Sequence, residues 1–176
     1  MSQALLITRK DIVQFTVIGG NVDTDKFIQN IKYAQDAKLE PLIGKALLAK
    51  LEDDVITGTL TGDYLTLVND YIKDYLTYAA ASDYIKLANF SVSNGGVSSY
   101  EPDNGSSASF TAIDRLVNDT EKKADFYGQR LIQYLKDNRA NFSEYEYPKT
   151  DSIFNGWQLQ DNTYNGTDYK YKGWWY

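Results

Sequence analysis

Apolar residues recur at the spacing of one helix face through much of the first half of the chain. Within 24–38 they fall three and four residues apart, at Phe27, Ile28, Ile31 and Ala34. A shorter helix is predicted over 8–15, where Thr8 and Asp11 match the pattern of a capping box. The chain is therefore expected to begin with two helices, separated by a break at Gly19-Gly20.

A third helix is predicted to begin at Pro41 and to end near Glu52. Proline is well tolerated there, because the N–H that it lacks has no partner in the first turn of a helix. The apolar positions of this segment are Leu42, Ile43, Ala46, Leu47 and Leu51. The pattern leaves open whether the helices on either side of Pro41 are one kinked helix.

The two longest helices are predicted over 63–89 and 110–140. The first holds a helical period without Gly or Pro, at Leu65, Val68, Ile72, Tyr75, Leu76, Ala79, Ala80, Tyr84 and Leu87. The second has its stripe at Ile113, Leu116, Val117, Ala124, Tyr127, Leu131, Tyr134 and Leu135. We expect Val68, Ile72 and Leu76 to be buried against 110–140 or 24–38. The apolar stripe of 113–135 is short, so it is interpreted as part of an intramolecular core rather than as a coiled coil between chains.

The polarity of the chain changes on either side of the last helix. Residues 91–109 are rich in Ser, Gly and Asn, and predict a long loop or a hairpin with Asn94-Gly95 at its tip. After residue 141 the helical period ends. The sequence therefore predicts a mainly α protein, a bundle of about five helices over 1–141 with a long loop. An extended, aromatic-rich C-terminal arm follows over 142–176.

Composition excludes several kinds of chemistry. The chain has no His and no Cys, so imidazole bases, thiol nucleophiles, disulfides and Cys/His zinc sites are impossible. Its net charge of −6 argues against broad nucleic-acid binding. The apolar runs are too short to span a membrane, and residues 1–3 lack the basic start of a signal peptide. We expect a soluble protein that is not an enzyme, with no cofactor, no metal and no membrane contact.

Two acidic clusters are interpreted as helix ends rather than as metal-binding or catalytic sites. Asp23-Thr24-Asp25 lacks the glycine and the terminal glutamate of a calcium-binding loop, so a helix cap explains it better. Glu52-Asp53-Asp54 offers carboxylates for a metal or for a catalytic pair. An acidic, solvated helix end is the better interpretation of that run.

The C-terminal arm is the strongest candidate for function. Its last 34 residues hold ten aromatics, a composition that disfavours a disordered tail. The free energy gained by burying these rings nearly cancels the cost of ordering the backbone, so the arm should order only against a surface, either that of its own domain or that of a partner. We predict that it binds a neighbouring subunit or a partner protein, and that 168–173 can add as a strand to an edge. The predicted interface residues are Trp157, Tyr164, Tyr169, Tyr171, Trp174, Trp175 and Tyr176.

The stretch 7–87 resembles the head–tail connector proteins of tailed bacteriophages, the adaptor rings below the portal. The resemblance is closest in style to the connectors of crAss-like phages. It lies in the segments 7–12 (ITRKDI), 25–28 (DKFI), 31–35 (IKYAQ) and 39–44 (LEPLIG), followed by the long helix over 64–88.

The resemblance implies a helical-bundle subunit in a ring of about a dozen copies, without a catalytic centre. Such a ring would join the portal protein to the tail in the virion, after synthesis in the host cytoplasm. It would line the DNA channel, where an acidic surface lets DNA pass without sticking. An alternative stays open: a cytoplasmic helical module that binds a small ligand or glycan through the Tyr and Trp rings of the arm.

Overall fold

A computed structural model describes residues 4–19, 24–88, 90–93, 96–99 and 108–146. These residues are mainly helical, as predicted, and they begin with a short helix α1 (Arg9–Phe15). The capping box is confirmed: the Asp11 carboxylate accepts hydrogen bonds from the backbone N–H of Thr8 at 2.7 Å and from its hydroxyl at 2.8 Å. None of the helices among the described residues is long and apolar enough to cross a membrane.

The chain from 24 to 43 is one continuous helical segment. Helix α2 (Thr24–Tyr33) passes into the π-helix π1 (Ala34–Leu39) and then into α3 (Glu40–Ile43). The break comes at Gly44, and α4 (Lys45–Thr57) follows it. The predicted helix start at Pro41 is therefore wrong, and the question left open by the sequence is answered: the residues on either side of Pro41 belong to one helical segment, which ends at Ile43.

The two predicted long helices are confirmed. The first consists of α5 (Gly62–Leu67), the π-helix π2 (Val68–Ile72) and α6 (Lys73–Ala88). The second is α7 (Phe110–Asp137). The helices α6 and α7 pack along each other, and α6 also contacts α1 and α2. The central position of α6 explains why its small residues 79–82 are completely buried.

Residues 91–109 were predicted to form either a long loop or a hairpin, and the hairpin is confirmed. Strands β1 (Phe90–Ser93) and β2 (Gly96–Ser99) pair antiparallel, with Phe90 opposite Ser99 and Ser93 opposite Gly96. The predicted tip, Asn94-Gly95, lies outside the described residues. At the other end, α7 is followed by a 3₁₀ turn (Arg139–Asn141) and by residues 142–146, which pack on the helices.

The core is formed by the apolar faces of the helices that surround α6. Val68, Ile72 and Leu76 are buried, as predicted, with at most 2% of their surface exposed. The largest fully buried side chains also include Phe27, Ile31, Leu39, Ile43, Leu47, Leu51, Leu67 and Phe142. This core lies within one chain, as the interpretation of 110–140 as intramolecular core requires.

Five predicted stripe positions are instead exposed: Ile28, Ala46, Leu65, Leu87 and Leu116. The errors at Leu65 and Ala46 share a cause: the side of the helix that faces the core changes along the segment. The π-helical turn inserts about one residue into the period, so Leu67 rather than Leu65 faces the core. The break at Gly44 resets the phase for Ala46 in the same way. Leu87 lies in the last turn of α6, close to its C-terminal end.

Replacing Gly44 by alanine should lower the free energy of unfolding by about 1–3 kcal/mol. Gly44 has φ 85° and ψ 150°, a backbone region that is essentially restricted to glycine. An added Cβ would also lie 3.2 Å from the Cβ of Glu146. Urea denaturation measures the loss. The matched control is Gly58→Ala, at φ 70° with open space around it, and it should lose less. Equal losses would show that neither the backbone region of Gly44 nor the approach to Glu146 adds to the cost.

Candidate functional site

The beginning of the predicted arm is anchored to the helical domain. Phe142 and Tyr145 are only 1% and 5% exposed, and the Tyr64 hydroxyl donates a hydrogen bond of 2.7 Å to the Glu144 carboxylate. The Phe142 ring meets the Tyr64 ring edge-on, with 5.3 Å between centroids. Residues 142–146 therefore continue the helical domain past the predicted boundary at 141. We call this end of the molecule, around Tyr64 and Tyr145, the exit end.

The predicted interface residues of the arm lie outside the described residues. They are Trp157, Tyr164, Tyr169, Tyr171, Trp174, Trp175 and Tyr176. Their binding to a neighbour or a partner stays a prediction. The same holds for the ligand- or glycan-binding alternative, which relies on the same rings.

A row of tyrosines joins the outer edges of the two long helices. Tyr71 of π2 stacks on Tyr134 of α7 at a centroid distance of 4.0 Å, and Tyr78 of α6 stacks on Tyr127 at 5.3 Å. The Arg130 guanidinium lies between the two pairs, 5.3 Å from the Tyr71 centroid and 5.9 Å from that of Tyr127. We call these four tyrosines and Arg130 the tyrosine row.

The tyrosine row is better suited to holding helices together than to binding a sugar. Its ring faces are turned towards each other and towards cations, with the ammonium group of Lys123 lying 5.6 Å from the Tyr78 centroid. Desolvation raises the pKa values of Tyr78 and Tyr134, so both phenols stay neutral at physiological pH. Stacked pairs and cation–π contacts each contribute on the order of 0.5–1 kcal/mol. The row therefore fastens α7 to the long helix before it.

Sequence reasoning recognised only half of this row. Tyr127 and Tyr134 were predicted as core, whereas Tyr71 and Tyr78 were not singled out. The available signal was a spacing of seven residues, which relates Tyr64 to Tyr71 and Tyr71 to Tyr78. Because 127 and 134 have the same spacing, tyrosines on two antiparallel helices come to face each other.

The acidic run at the end of α4 is not simply a solvated helix end. Asp54 is only 6% exposed, and both its oxygens accept hydrogen bonds of 2.6 Å from the Lys50 ammonium. Glu52 accepts a 2.6 Å hydrogen bond from the fully buried amide of Gln35, which also holds the backbone of Ala4 and Leu6. Of the three carboxylates only Asp53 is exposed, so the interpretation of this run is corrected.

A further carboxylate with a structural role lies on α6. The Lys38 ammonium lies 2.7 Å from the Asp83 carboxylate and donates to the carbonyl of Ala79 at 3.2 Å. No group of three or more acidic side chains that could hold a metal ion occurs within the part of the chain that the structure describes.

Acid should weaken the fold partly through Asp54. The Lys50 hydrogen bond lowers the pKa of this carboxyl in the folded state. Because the pKa of Asp54 is lower in the folded than in the unfolded chain, its ionised form stabilises the fold at pH values above about 3.9, the pKa of an unfolded Asp. That stability is lost as the pH falls through the folded pKa. In Asp54→Asn, urea midpoints measured from neutral pH to about pH 2.5 should show a smaller acid-induced fall. Asp53→Asn, an equal change of charge at an exposed position, should keep the parental fall. Identical profiles for parent and Asp54→Asn would contradict the assignment.

An apolar depression lies at the opposite end of the long helices, beside the hairpin. It has a volume of about 220 Å³. The Phe90 and Phe110 rings form its walls with 6.5 Å between centroids, and they are 41% and 65% exposed. Its remaining lining residues are Lys86, Ile113, Asp114 and Val117. We call this depression the distal groove.

The distal groove and the exit end are well separated along the molecule. Tyr64 lies in α5 and Lys86 in the last turn of α6, so the two residues are 22 positions apart along the helical run. At a rise of about 1.5 Å per residue, these positions are roughly 33 Å apart along the helix. The molecule thus presents two different surfaces at its two ends.

Comparison with known proteins gives one match. A family model described as a family of unknown function (DUF6712) matches residues 39–155. This range includes the tyrosine row, the distal groove and the exit end, and it stops before Trp157. No curated protein and no solved structure matches the chain.

Proposed function

The chain belongs to the DUF6712 family, whose function is unknown, and we propose that it is a head–tail connector subunit of a tailed bacteriophage. In this proposal its copies form a ring, of about a dozen if the resemblance of 7–87 holds, between the portal protein and the tail. Its role is structural rather than enzymatic, and its place is the neck of the virion. DNA passes through the ring without being bound specifically.

The observation that carries the proposal is the separation of two different surfaces on one helical body. A ring with cyclic symmetry needs heterologous contacts, in which one surface of a subunit meets a different surface of the next. The distal groove supplies exposed apolar rings at one end. At the other end, the described chain stops at residue 146, and the sequence that follows is rich in Trp and Tyr.

Two further features support a passive structural role. The long helix pair is fastened by buried alanines and by the tyrosine row, which favours a stiff body. The acidic net charge of −6 suits a channel wall, because DNA phosphates are repelled rather than held. The segments that carry the resemblance, 7–12, 25–28, 31–35 and 39–44, fall in or beside α1, α2, π1 and α3.

Native mass spectrometry and negative-stain electron microscopy test the proposal. The purified 20.0 kDa chain is measured alone and together with the products of its neighbouring genes. We expect closed rings of about a dozen subunits, at least in the presence of the portal. A chain that stays at 20.0 kDa under every condition, and that joins no particle, would refute the proposal.

A further inference from the structure

The distal groove has the size and chemistry of a site for one side chain. Small-molecule pockets usually enclose about 300–1,000 Å³, whereas this depression has about 220 Å³. Val117 is 5% exposed, and the two phenyl rings beside the cavity lie at 27° to each other. Lys86 and Asp114 add a charge of each sign. An aromatic anchor with polar atoms at its edge fits such a site.

We propose that the distal groove of one subunit binds the last residues of the arm of a second copy, 174–176. This inference rests on the ring assembly proposed above and names the contact that would link its subunits. The sequence of 174–176 is Trp-Trp-Tyr, the side chains that most often supply the binding energy of an interface.

The position and length of the arm allow this contact. The described chain ends at residue 146 at the exit end, so 27 residues precede Trp174. Fully extended, they reach at most roughly 90–97 Å, well beyond the roughly 33 Å that separates the two ends of one subunit. The exit end of one copy therefore need not touch the groove of the next. Because the arm and the groove are different surfaces, binding of the arm of one copy in the groove of another is a heterologous contact, as a ring requires.

Crosslinking between full-length chains tests the proposal directly. The chain has no Cys, so each introduced thiol is unique. One protein carries Gly173→Cys, which keeps all three terminal aromatics, and the other carries Asp114→Cys beside the groove. One of the two is labelled with heavy isotopes, so a covalent heterodimer has its own mass. With a short bismaleimide, we expect that heterodimer to be the main product of the mixture.

The structure offers a matched control on the same helix. Asp119 is also an exposed aspartate of α7, five residues after Asp114 and about 140° around the helix from it. Asp119→Cys should therefore give little heterodimer with Gly173→Cys. Adding Phe110→Ala to Asp114→Cys should reduce the crosslinking rate at least about tenfold, the effect of losing an interface anchor. Phe110 is 65% exposed, so circular dichroism should show an unchanged fold.

Four outcomes would overturn the inference. Equal yields at 114 and 119 would mean that the arm has no preferred site. No crosslink at 114 would mean that something else covers the groove, such as the chain's own residues 100–107. An Asp114→Cys/Gly173→Cys double variant that crosslinks only within one chain at all concentrations would place the arm on its own subunit. Rings that form without the 114–173 crosslink would refute this contact but keep the proposed function.

Discussion

Leu76→Ala should lower the free energy of unfolding by roughly 2–5 kcal/mol, the range for a leucine removed from a packed core. Leu76 has no exposed surface and lies in α6, which packs against α1, α2 and α7. The cost combines the lost transfer free energy of the side chain with the cavity left behind. Neighbouring alanines at 79 and 80 are too small to fill that cavity.

The same helix supplies the control for this variant. Leu87 is 60% exposed, so Leu87→Ala should change stability by no more than about 0.5 kcal/mol. Both variants remove the same atoms from α6. The difference between their urea midpoints, at equal slopes, therefore reports mainly on the burial of Leu76. A loss below about 1 kcal/mol for Leu76→Ala would mean that the face of α6 has been assigned wrongly.

The helices could be predicted because their hydrophobic faces are regular. Both long helices end within a few residues of the predicted bounds, and the buried triad of 68, 72 and 76 follows directly from the helical period. The errors arise where the period itself changes. A π-helical turn requires no particular residue type, so the sequence of 68–72 contains no signal that predicts it. The break at Gly44 was missed because Pro41 is the more conspicuous signal and can also occupy a first helical turn.

The candidate surfaces were harder to predict because they depend on contacts between distant parts of the chain. Phe90 and Phe110 come together only because the hairpin brings the end of α6 back to the beginning of α7. Gln35 looks like an ordinary polar helix residue, yet it binds the backbone of the N-terminal segment and the Glu52 carboxylate. The helical period shows which face of a helix a residue lies on. It does not show which other helix or strand packs against that face.

Phe142→Ala should lower the free energy of unfolding by about 3–5 kcal/mol, although the residue lies beyond the last helix. The ring is 1% exposed and contacts the rings of Tyr64 and Tyr134 at centroid distances of 5.3 and 6.0 Å. The matched control is Phe126→Ala. Phe126 is 58% exposed and has an edge contact with Tyr127, so its loss should stay below about 1 kcal/mol. Urea denaturation of both variants measures the difference.

This prediction decides where the arm can be removed without damaging the domain. A chain that ends at 141 loses Phe142, the buried Tyr145 and the hydrogen bond from Tyr64 to Glu144, so it should be strongly destabilised or unfolded. A chain that ends at 146 keeps all of these contacts and should retain the thermal midpoint of the parent. If both truncated chains melt with the parent, 142–146 are not part of the core. If the chain ending at 146 also unfolds at concentrations where the parent is monomeric, residues 147–176 stabilise their own subunit, and an arm that binds a second copy is excluded as their main role.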